Sequence, residues 1–269
     1  RLNLEIGQGE RKLLKQLLYV SPEIFGRALA DQPLGLYLGE RGAFLQDGRV
    51  WLSREEIPLL PDSWRKVAPG ALRERRLWQS TAVDRVTVDR VASASSVFQI
   101  GRTDYTPNCG LWFAVQWPGA EDPTARTRVE TLLTHLGDRG LGGERSVGFG
   151  QFTWAAGAAM PDAPEPTAGG AALSLSRYLP RPEELPGALQ GSAAYRLVAV
   201  SGWLQSPGRE ARRRRQVRLL TEGSVFQTVG AGPWGRLADV RPAGWDGHAV
   251  WRYGYACPVG LGPKEAVDG

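Results

Sequence analysis

Apolar and polar positions along this 269-residue chain change period several times, and each change predicts an element. Glu10-Arg-Lys-Leu-Leu-Lys-Gln-Leu-Leu18 carries leucines on one side of a helical repeat, which predicts a short amphipathic helix. Val20-Ser-Pro-Glu-Ile-Phe25 follows as a second helix start, with Pro22 in the first turn. Leu34 to Leu45 and Val50-Trp-Leu52 predict short strands around Gln46-Asp-Gly-Arg49, whose Asp-Gly is a hairpin signal. Pro58, Pro61 and Pro69 mark an irregular crossing. From Val83 to Val91 the residues alternate, with Val86 and Val88 on one face and Arg85, Thr87 and Asp89 on the other. Val97-Phe-Gln-Ile100 comes after a Ser/Ala-rich turn, so a hairpin over about 83–100 with a small, polar tip is expected.

Leu111-Trp-Phe-Ala-Val-Gln-Trp117 predicts a buried strand. Thr127-Arg-Val-Glu130 has the form of a capping box, and Val129, Leu132, Leu133 and Leu136 then make one apolar stripe. The expected helix spans 127–136 and ends at Gly137. Gln151-Phe-Thr-Trp154 alternates as a half-buried strand. A stretch of Ala, Pro, Gly, Asp and Glu over 157–170 gives the clearest linker, separating a first part, 1–156, from a second, 171–269. In the second part, Ala172 to Tyr178 and Tyr195 to Val200 alternate as strands on either side of Arg181–Leu189, which has room for a helical turn or two. A recurring strand–helix–strand order suits a ferredoxin-like module.

Five glycines within Gly140-Leu-Gly-Gly-Glu-Arg-Ser-Val-Gly-Phe-Gly150 form the most distinctive local motif. Glycine reaches positive φ freely, and a run of it exposes successive amides to an anion, with Arg145 as a charged fork and Ser146 as a short donor. No Lys-Ser/Thr pair closes the loop and Arg145 takes the last glycine place of a dinucleotide fingerprint, so neither nucleotide motif fits. The loop also follows a helix C-terminus, where the dipole disfavours an anion. A nucleic-acid backbone is the better match, because it needs donors and charge without a helix dipole; a plain glycine turn is the alternative.

Composition narrows the field. Net charge is +5 with pI near 9.5, and all but four of the 33 basic residues are arginine, which suits phosphate forks and base stacking. Two cysteines without a C-x-x-C fit a reduced, cytoplasmic protein lacking a disulfide framework or zinc knuckle. No apolar run reaches the length of a membrane span and no signal peptide is evident. Arg212-Arg-Arg-Arg-Gln-Val-Arg218 is the densest positive charge, and on a strand it sets Arg213 and Arg215 on one face. Such a run is either a solvated face or a collector of phosphates. Chemistry for catalysis is sparse. His135 sits on the helix, His248 follows Asp246-Gly247, no G-x-S-x-G is present and the acidic residues are scattered. No metal or other cofactor is expected.

Gly142-Gly-Glu-Arg-Ser-Val-Gly-Phe-Gly150 resembles the glycine-rich loop of the RAMP proteins, RNA-binding subunits of CRISPR effector complexes. Glu222-Gly-Ser-Val-Phe226, Trp251-Arg-Tyr-Gly-Tyr-Ala-Cys-Pro-Val-Gly260 and Val83 to Arg90 narrow the resemblance to the subunit-four family of type III-A (Csm) complexes, over about 10–262. The resemblance implies an α+β fold of tandem ferredoxin-like (RRM-like) RAMP modules with a β-hairpin thumb. It implies a subunit in antiviral defence that holds the 5′ tag of the CRISPR RNA (crRNA). Such a subunit anchors the large polymerase/nuclease-like subunit and meets the repeated backbone RAMP subunit. The RNA contacts it implies are Gly142, Gly143, Arg145, Ser146, Val147, Gly148 and Phe149 in the loop, Arg85 and Arg90 on the thumb, Arg213 and Arg215, and Ser224 and Phe226. For Arg85 and Arg90 the alternative is pairing with Asp84 and Asp89 along a sheet edge; for Phe226 or Trp234 it is core packing. Neither the histidine of the repeat-processing RAMP enzymes nor the aspartate of the cleaving backbone subunit has a match. A binding subunit is therefore expected, with a metal-independent RAMP-type endoribonuclease using His135 or His248, an RNA chaperone, or the type III-B or III-D counterpart as alternatives. The family's opening strand and first helix are not evident, so an N-terminal portion is expected to precede Arg1.

Overall fold

The computed structural model describes residues 8–89, 91, 94–115, 117, 122–157, 163–204, 206 and 208–261. It divides into two compact units, one formed by 1–104 with 162–269 and the other by 105–161. One division therefore falls inside the 157–170 linker; the other, after Asp104, has no composition shift to announce it.

In the larger unit, helix α1 (Gln8–Gln16) leads into strand β1 (Tyr19–Val20) and helix α2 (Pro22–Leu29). The Ser21 hydroxyl accepts from Ile24 N–H with Pro22 behind it, so the second helix starts where the sequence placed it. Leu34–Leu38, expected as a strand, instead contains a one-turn helix α3 (Gly35–Leu38). Its leucines and Tyr37 have no strict alternation, and the turn buries Tyr37 and Leu38 together. Strands β2 (Gly42–Leu45) and β3 (Val50–Ser53) form the expected hairpin, with Gln46, Asp47 and Gly48 all at positive φ. β1 adds to β3 in parallel, giving the order β1-β3-β2.

That sheet separates two cores by simple alternation. Trp51 packs with Ile24, Leu34, Tyr37 and Leu38, whereas the next residue, Leu52, packs with Ala43, Leu45, Trp64 and Leu72. Trp51 Nε1–H donates to the Tyr37 carbonyl at 2.6 Å. Gly42 is required there, because a Cβ would drive into that same carbonyl. The proline-marked crossing holds helices α4 (Asp62–Arg65) and α5 (Pro69–Leu72) after a 3-10 segment, Arg54–Leu59, capped by Ser53 and Glu56.

Strands β4 (Trp78–Asp89) and β5 (Ala94–Tyr105) make the expected hairpin, longer than its alternating centre indicated. Its root is tied to the buried Gln46, whose side chain accepts from Leu77 N–H and donates to Trp78 O, both at 2.8 Å.

Residues 171–261 supply the rest of this unit with short strands and 3-10 turns. Strand β6 (Ala171–Ser174) precedes two such turns, Pro182–Glu184 and Gly187–Leu189, where one or two helical turns were expected. Strands β7 (Leu197–Val200), β8 (Trp203–Leu204), β9 (Arg212–Arg213), β10 (Val217–Leu220), β11 (Ser224–Gln227), β12 (Ala238–Asp239), β13 (Trp251–Arg252) and β14 (Pro258–Gly260) follow. They pair as β11-β6-β14, β10-β7, β8-β9 and β12-β13. No α-helix occurs among the described residues of this stretch. Its two cores are Ala172, Tyr178, Leu220 and Phe226, and a second group around Leu179, Leu219, Val240 and Trp245. Glu184, 1% exposed, is held by Tyr178 OH at 2.9 Å, Arg181 N–H and Nε, and Gly235 N–H.

The smaller unit centres on helix α6 (Pro123–Arg139), which starts four residues before the predicted Thr127. Asp122 caps it, accepting from Thr124 N–H with Pro123 at the first helical position. Thr127 lies inside, its hydroxyl donating to Pro123 O, and Glu130 pairs with Arg126. The stripe of Val129, Leu133 and Leu136 is half-buried, while Leu132 is exposed. The helix runs through Gly137 to cap at Gly140. Residues 151–154 form no strand but alternate in burial as expected, lying on the helix: Phe152 N–H donates to Gly137 O, and Trp154 Nε1–H to the Thr134 hydroxyl. A Cβ on Gly137 would collide with the Phe152 carbonyl. Leu111–Val115, expected as a buried strand, is neither paired nor buried; Leu111 is 81% and Trp112 78% exposed. Apolar content alone misled there, because no neighbouring strand among the described residues offers it a ladder.

Candidate nucleic-acid interface

The end of α6 builds the glycine loop. Gly140 leaves the helix at φ 78° and Gly150 re-enters extended chain at φ 78°, and the base is closed by Leu141 N–H to Gly150 O at 2.8 Å. Both glycines are sterically required, since a Cβ on Gly150 would strike Leu141 O and one on Gly140 would come within 2.7 Å of Phe149 O. The tip is a single 3-10 turn, Arg145–Val147, entered through Glu144 at φ 55° and left through Gly148 at φ 89°.

This geometry splits the expected amide donors into two groups. Val147 and Phe149 donate to Glu144 O, and Gly148 donates to Arg145 O, so those three amides serve the loop itself. Gly142, Gly143, Arg145 and Ser146 make no backbone donation among the described residues. All four are exposed, and space is open where a Cβ would stand on Gly142 or Gly143. Arg145 has no carboxylate partner among the described residues. The loop therefore offers open amides, a hydroxyl and a guanidinium at one exposed tip, beside the exposed carboxylate of Glu144.

On the hairpin, Arg85 is half-buried on the face shared with Thr81 and Val83, while Val86 and Val88 are exposed. Asp84 accepts from Gln99 Nε2 at 2.9 Å. Arg90 lies outside the described residues. The arginine run is split between two ladders. Arg213 in β9 pairs opposite Trp203 in β8 and is exposed, and Arg215 donates from its backbone to Val240 O and from its side chain to Asp239 O. Arg213 and Arg215 are both exposed, but so are Arg212 and Arg218, and the strand ends at Arg213, so the run does not alternate between two faces as its spacing indicated.

Ser224 and Phe226 are corrections. Phe226 is 0% exposed, with its ring 4.6 Å from that of Tyr178 and 6.4 Å from that of Trp234. Ser224 is buried in the same strand, β11, between Ser174 and the turn before it. Strand positions that alternate inward pack the core, so neither side chain can reach a base. Trp234 is half-buried, donating to Val229 O. Sequence reasoning passed over three exposed rings of the 171–261 stretch, Trp203, Trp251 and Tyr253. For the two indoles the signal was position, since each occupies the outward place of a two-residue strand beside a more buried neighbour, and Tyr253 follows the second of these strands.

His135 and His248 are both exposed, and His248 rests edge-on against Trp245 at 5.7 Å. Among the described residues no three His, Cys, Asp or Glu side chains gather as a metal site, and no helix is long and apolar enough to cross a membrane.

Known proteins give this arrangement a context. The chain is 32% identical over 203 residues to two proteins named CRISPR system Cms protein Csm4, from Mycobacterium tuberculosis strains CDC 1551 / Oshkosh and ATCC 25618 / H37Rv. The match covers 73% of this chain and 61% of each relative, so the chain spans well under the relatives' full length. Its fold is similar to that in a crystal structure of a Csm3-Csm4 subcomplex of a type III-A CRISPR-Cas interference complex. There the TM-score is 0.62 and the identity 15%, over 94% of this chain and 76% of the other. Residues 167–261, which hold the arginine run and the exposed rings, match the model of the CRISPR Csm4 C-terminal domain. Residues 167–261 thus carry a CRISPR Csm4 C-terminal domain, and the chain as a whole is similar to the curated Csm4 proteins.

Proposed function

We propose that the chain is a non-catalytic, RNA-binding subunit of a type III-A CRISPR effector complex acting in antiviral defence in the cytoplasm. In this reading it holds the 5′ tag of the crRNA, anchors the large polymerase/nuclease-like subunit, and sits beside the first copy of the repeated backbone RAMP subunit. The solved relative is a Csm3-Csm4 subcomplex, which supports a Csm3-type neighbour. Two RAMP-type ferredoxin-like modules, 1–156 and 171–269, joined by 157–170, are part of the same proposal, with the β4–β5 hairpin as the thumb that reaches between RNA bases.

The observation that carries it is the exposed loop tip, where Gly142, Gly143, Arg145 and Ser146 present amides and a guanidinium to which no acceptor is bonded among the described residues. Charge and geometry there can be separated by measuring guide-RNA affinity against salt. Arg145→Ala should weaken binding and lower the salt slope by roughly 0.7, the single-strand value per phosphate. Gly142→Val should weaken binding with the slope unchanged, because Gly142 stands at φ 93° and a β-branched residue would refold the tip. Unchanged affinity in both variants would reduce the loop to a turn and remove the proposal. Incubation with repeat RNA, with and without divalent metal, should yield no cleavage; a defined product lost in His135→Ala or His248→Ala would replace the binding role with an enzymatic one.

A further inference from the structure

The two exposed indoles of the 171–261 region each stand across a ladder from a charged residue. Trp203 in β8 lies directly opposite Arg213 in β9, and Trp251 in β13 directly opposite Asp239 in β12. Residues opposite one another in an antiparallel ladder project to the same side. Arg213 Cζ stands 5.9 Å from the centroid of the Trp203 ring, so the guanidinium backs an indole that is 60% exposed. Arg215 connects the two pairs. Its backbone N–H donates to Val240 O at 3.0 Å, and its guanidinium donates to Asp239 O at 3.1 Å and lies 3.9 Å from the Asp239 carboxylate.

The opposite side of both ladders is core. Leu204 follows Trp203, Val250 precedes Trp251, and Ala238 and Val240 flank Asp239; all four are buried in one cluster. Both indoles therefore point away from the same core, onto an outer surface linked through Arg215.

Charge and ring chemistry together select an occupant for that surface. The Arg213 guanidinium has no carboxylate partner among the described residues, and Asp239 is already engaged by Arg241 at 2.6 Å. Three guanidinia thus surround one carboxylate, which leaves the surface positive. An apolar protein patch laid on it would desolvate those charges without neutralising them, whereas phosphates neutralise them. Arginines interleaved with outward indoles are also the combination that holds single strands, charge tracking the backbone while rings stack on bases. A duplex hides its base faces, so the indoles suit unpaired nucleotides. We propose that Trp203 and Trp251 stack on bases of a single-stranded RNA that crosses this surface, with Arg213 and Arg215 on its phosphates. The proposal rests on the RNA-binding reading given above and adds to it two residues that act through stacking rather than charge.

The test measures affinity for a fluorescein-labelled single-stranded guide RNA across a salt series, with Tm taken on each free protein. It compares wild type with Trp203→Ala, Trp203→Phe, Trp251→Ala, Arg213→Gln and Arg145→Ala. Trp203→Ala and Trp251→Ala should each lose roughly tenfold in affinity with the salt slope unchanged, because a stack releases no counterions. Trp203→Phe keeps a π face and should recover most of that loss. Arg213→Gln should lower the slope by roughly 0.7. Tm should hold in every tryptophan variant, since both rings lie outside the core. Wild-type affinity in both tryptophan-to-alanine variants, with Arg145→Ala still impaired, would overturn this surface alone and leave a protein partner as its occupant. A loss that only follows a fall in Tm, or one as large in Trp203→Phe as in Trp203→Ala, would overturn stacking. Impaired tryptophan variants beside an unaffected Arg145→Ala would uphold this surface and remove the glycine loop. If all the variants bind like wild type, the RNA reading itself fails.

Discussion

Glu184 is the residue on which most of the second core turns. Its two oxygens collect the Tyr178 hydroxyl, the Arg181 backbone and guanidinium, and the Gly235 amide, residues that lie 6, 3 and 51 positions away. Burial, then the hydrogen bond to Glu184, pushes the Tyr178 hydroxyl far above the ordinary phenol range. The sign of the linkage follows. The folded state keeps this proton when the unfolded chain has released it, so the contribution is complete below the unfolded value of ~10 and is lost as pH rises beyond it. Wild type should therefore lose stability in chemical denaturation between roughly pH 10 and 12. Tyr178→Phe should lose ~1–3 kcal/mol at neutral pH, from the unsatisfied carboxylate, yet show a flatter alkaline decline. Equal alkaline slopes in the two proteins would show that Tyr178 is not the group responsible. Little of this was legible beforehand: Glu184 sits among ordinary acidic residues in Arg-Pro-Glu-Glu, and nothing local announces a partner at Gly235.

At the scale of elements, local signals succeeded where the chemistry is local. Ser21-Pro22 and Gln46-Asp47-Gly48 place a cap and a turn through their own side chains and φ values, and both occur as expected. The helix α6 shows the failure mode, because two cap signals compete. Asp122-Pro123 supplies a carboxylate and a preset φ, which outweigh the Thr127/Glu130 pair once the chain has already become helical. Asp122→Ala should thus cost ~1 kcal/mol of unfolding free energy, and Thr127→Ala should stay within ~0.5 kcal/mol of wild type. The reverse order in a thermal or denaturant melt would restore the later start. Phe226 and Leu111–Val115 fail for a related reason. An apolar or aromatic residue states only a preference for burial, and its fate depends on which strands arrive beside it. The loop glycines, in contrast, were legible as a tip, though not as to which amides the tip consumes.

For the molecule as a whole, residues 105–161 interrupt a unit made of chain on either side. Among the described residues, the four buried clusters lie outside that interruption, as do the paired strands but for Tyr105, the terminal residue of β5. Replacing 105–161 by a flexible Gly/Ser linker should leave a cooperatively unfolding protein with native Trp fluorescence from the buried Trp51 and Trp64. A non-cooperative or molten product would show that the interruption is needed for folding. The excised version should also behave better in the tube, and the reason is Leu111-Trp-Phe-Ala-Val115. This is an uncharged, proline-free run rich in β-formers, and it stands in water. Supplied without whatever normally covers such a run, the intact chain is a candidate for intermolecular cross-β association even while natively folded. Light scattering during concentration should rise for wild type and fall for Trp112→Lys, and a yield of soluble chain that depends on what is co-expressed would follow from five residues rather than from global instability.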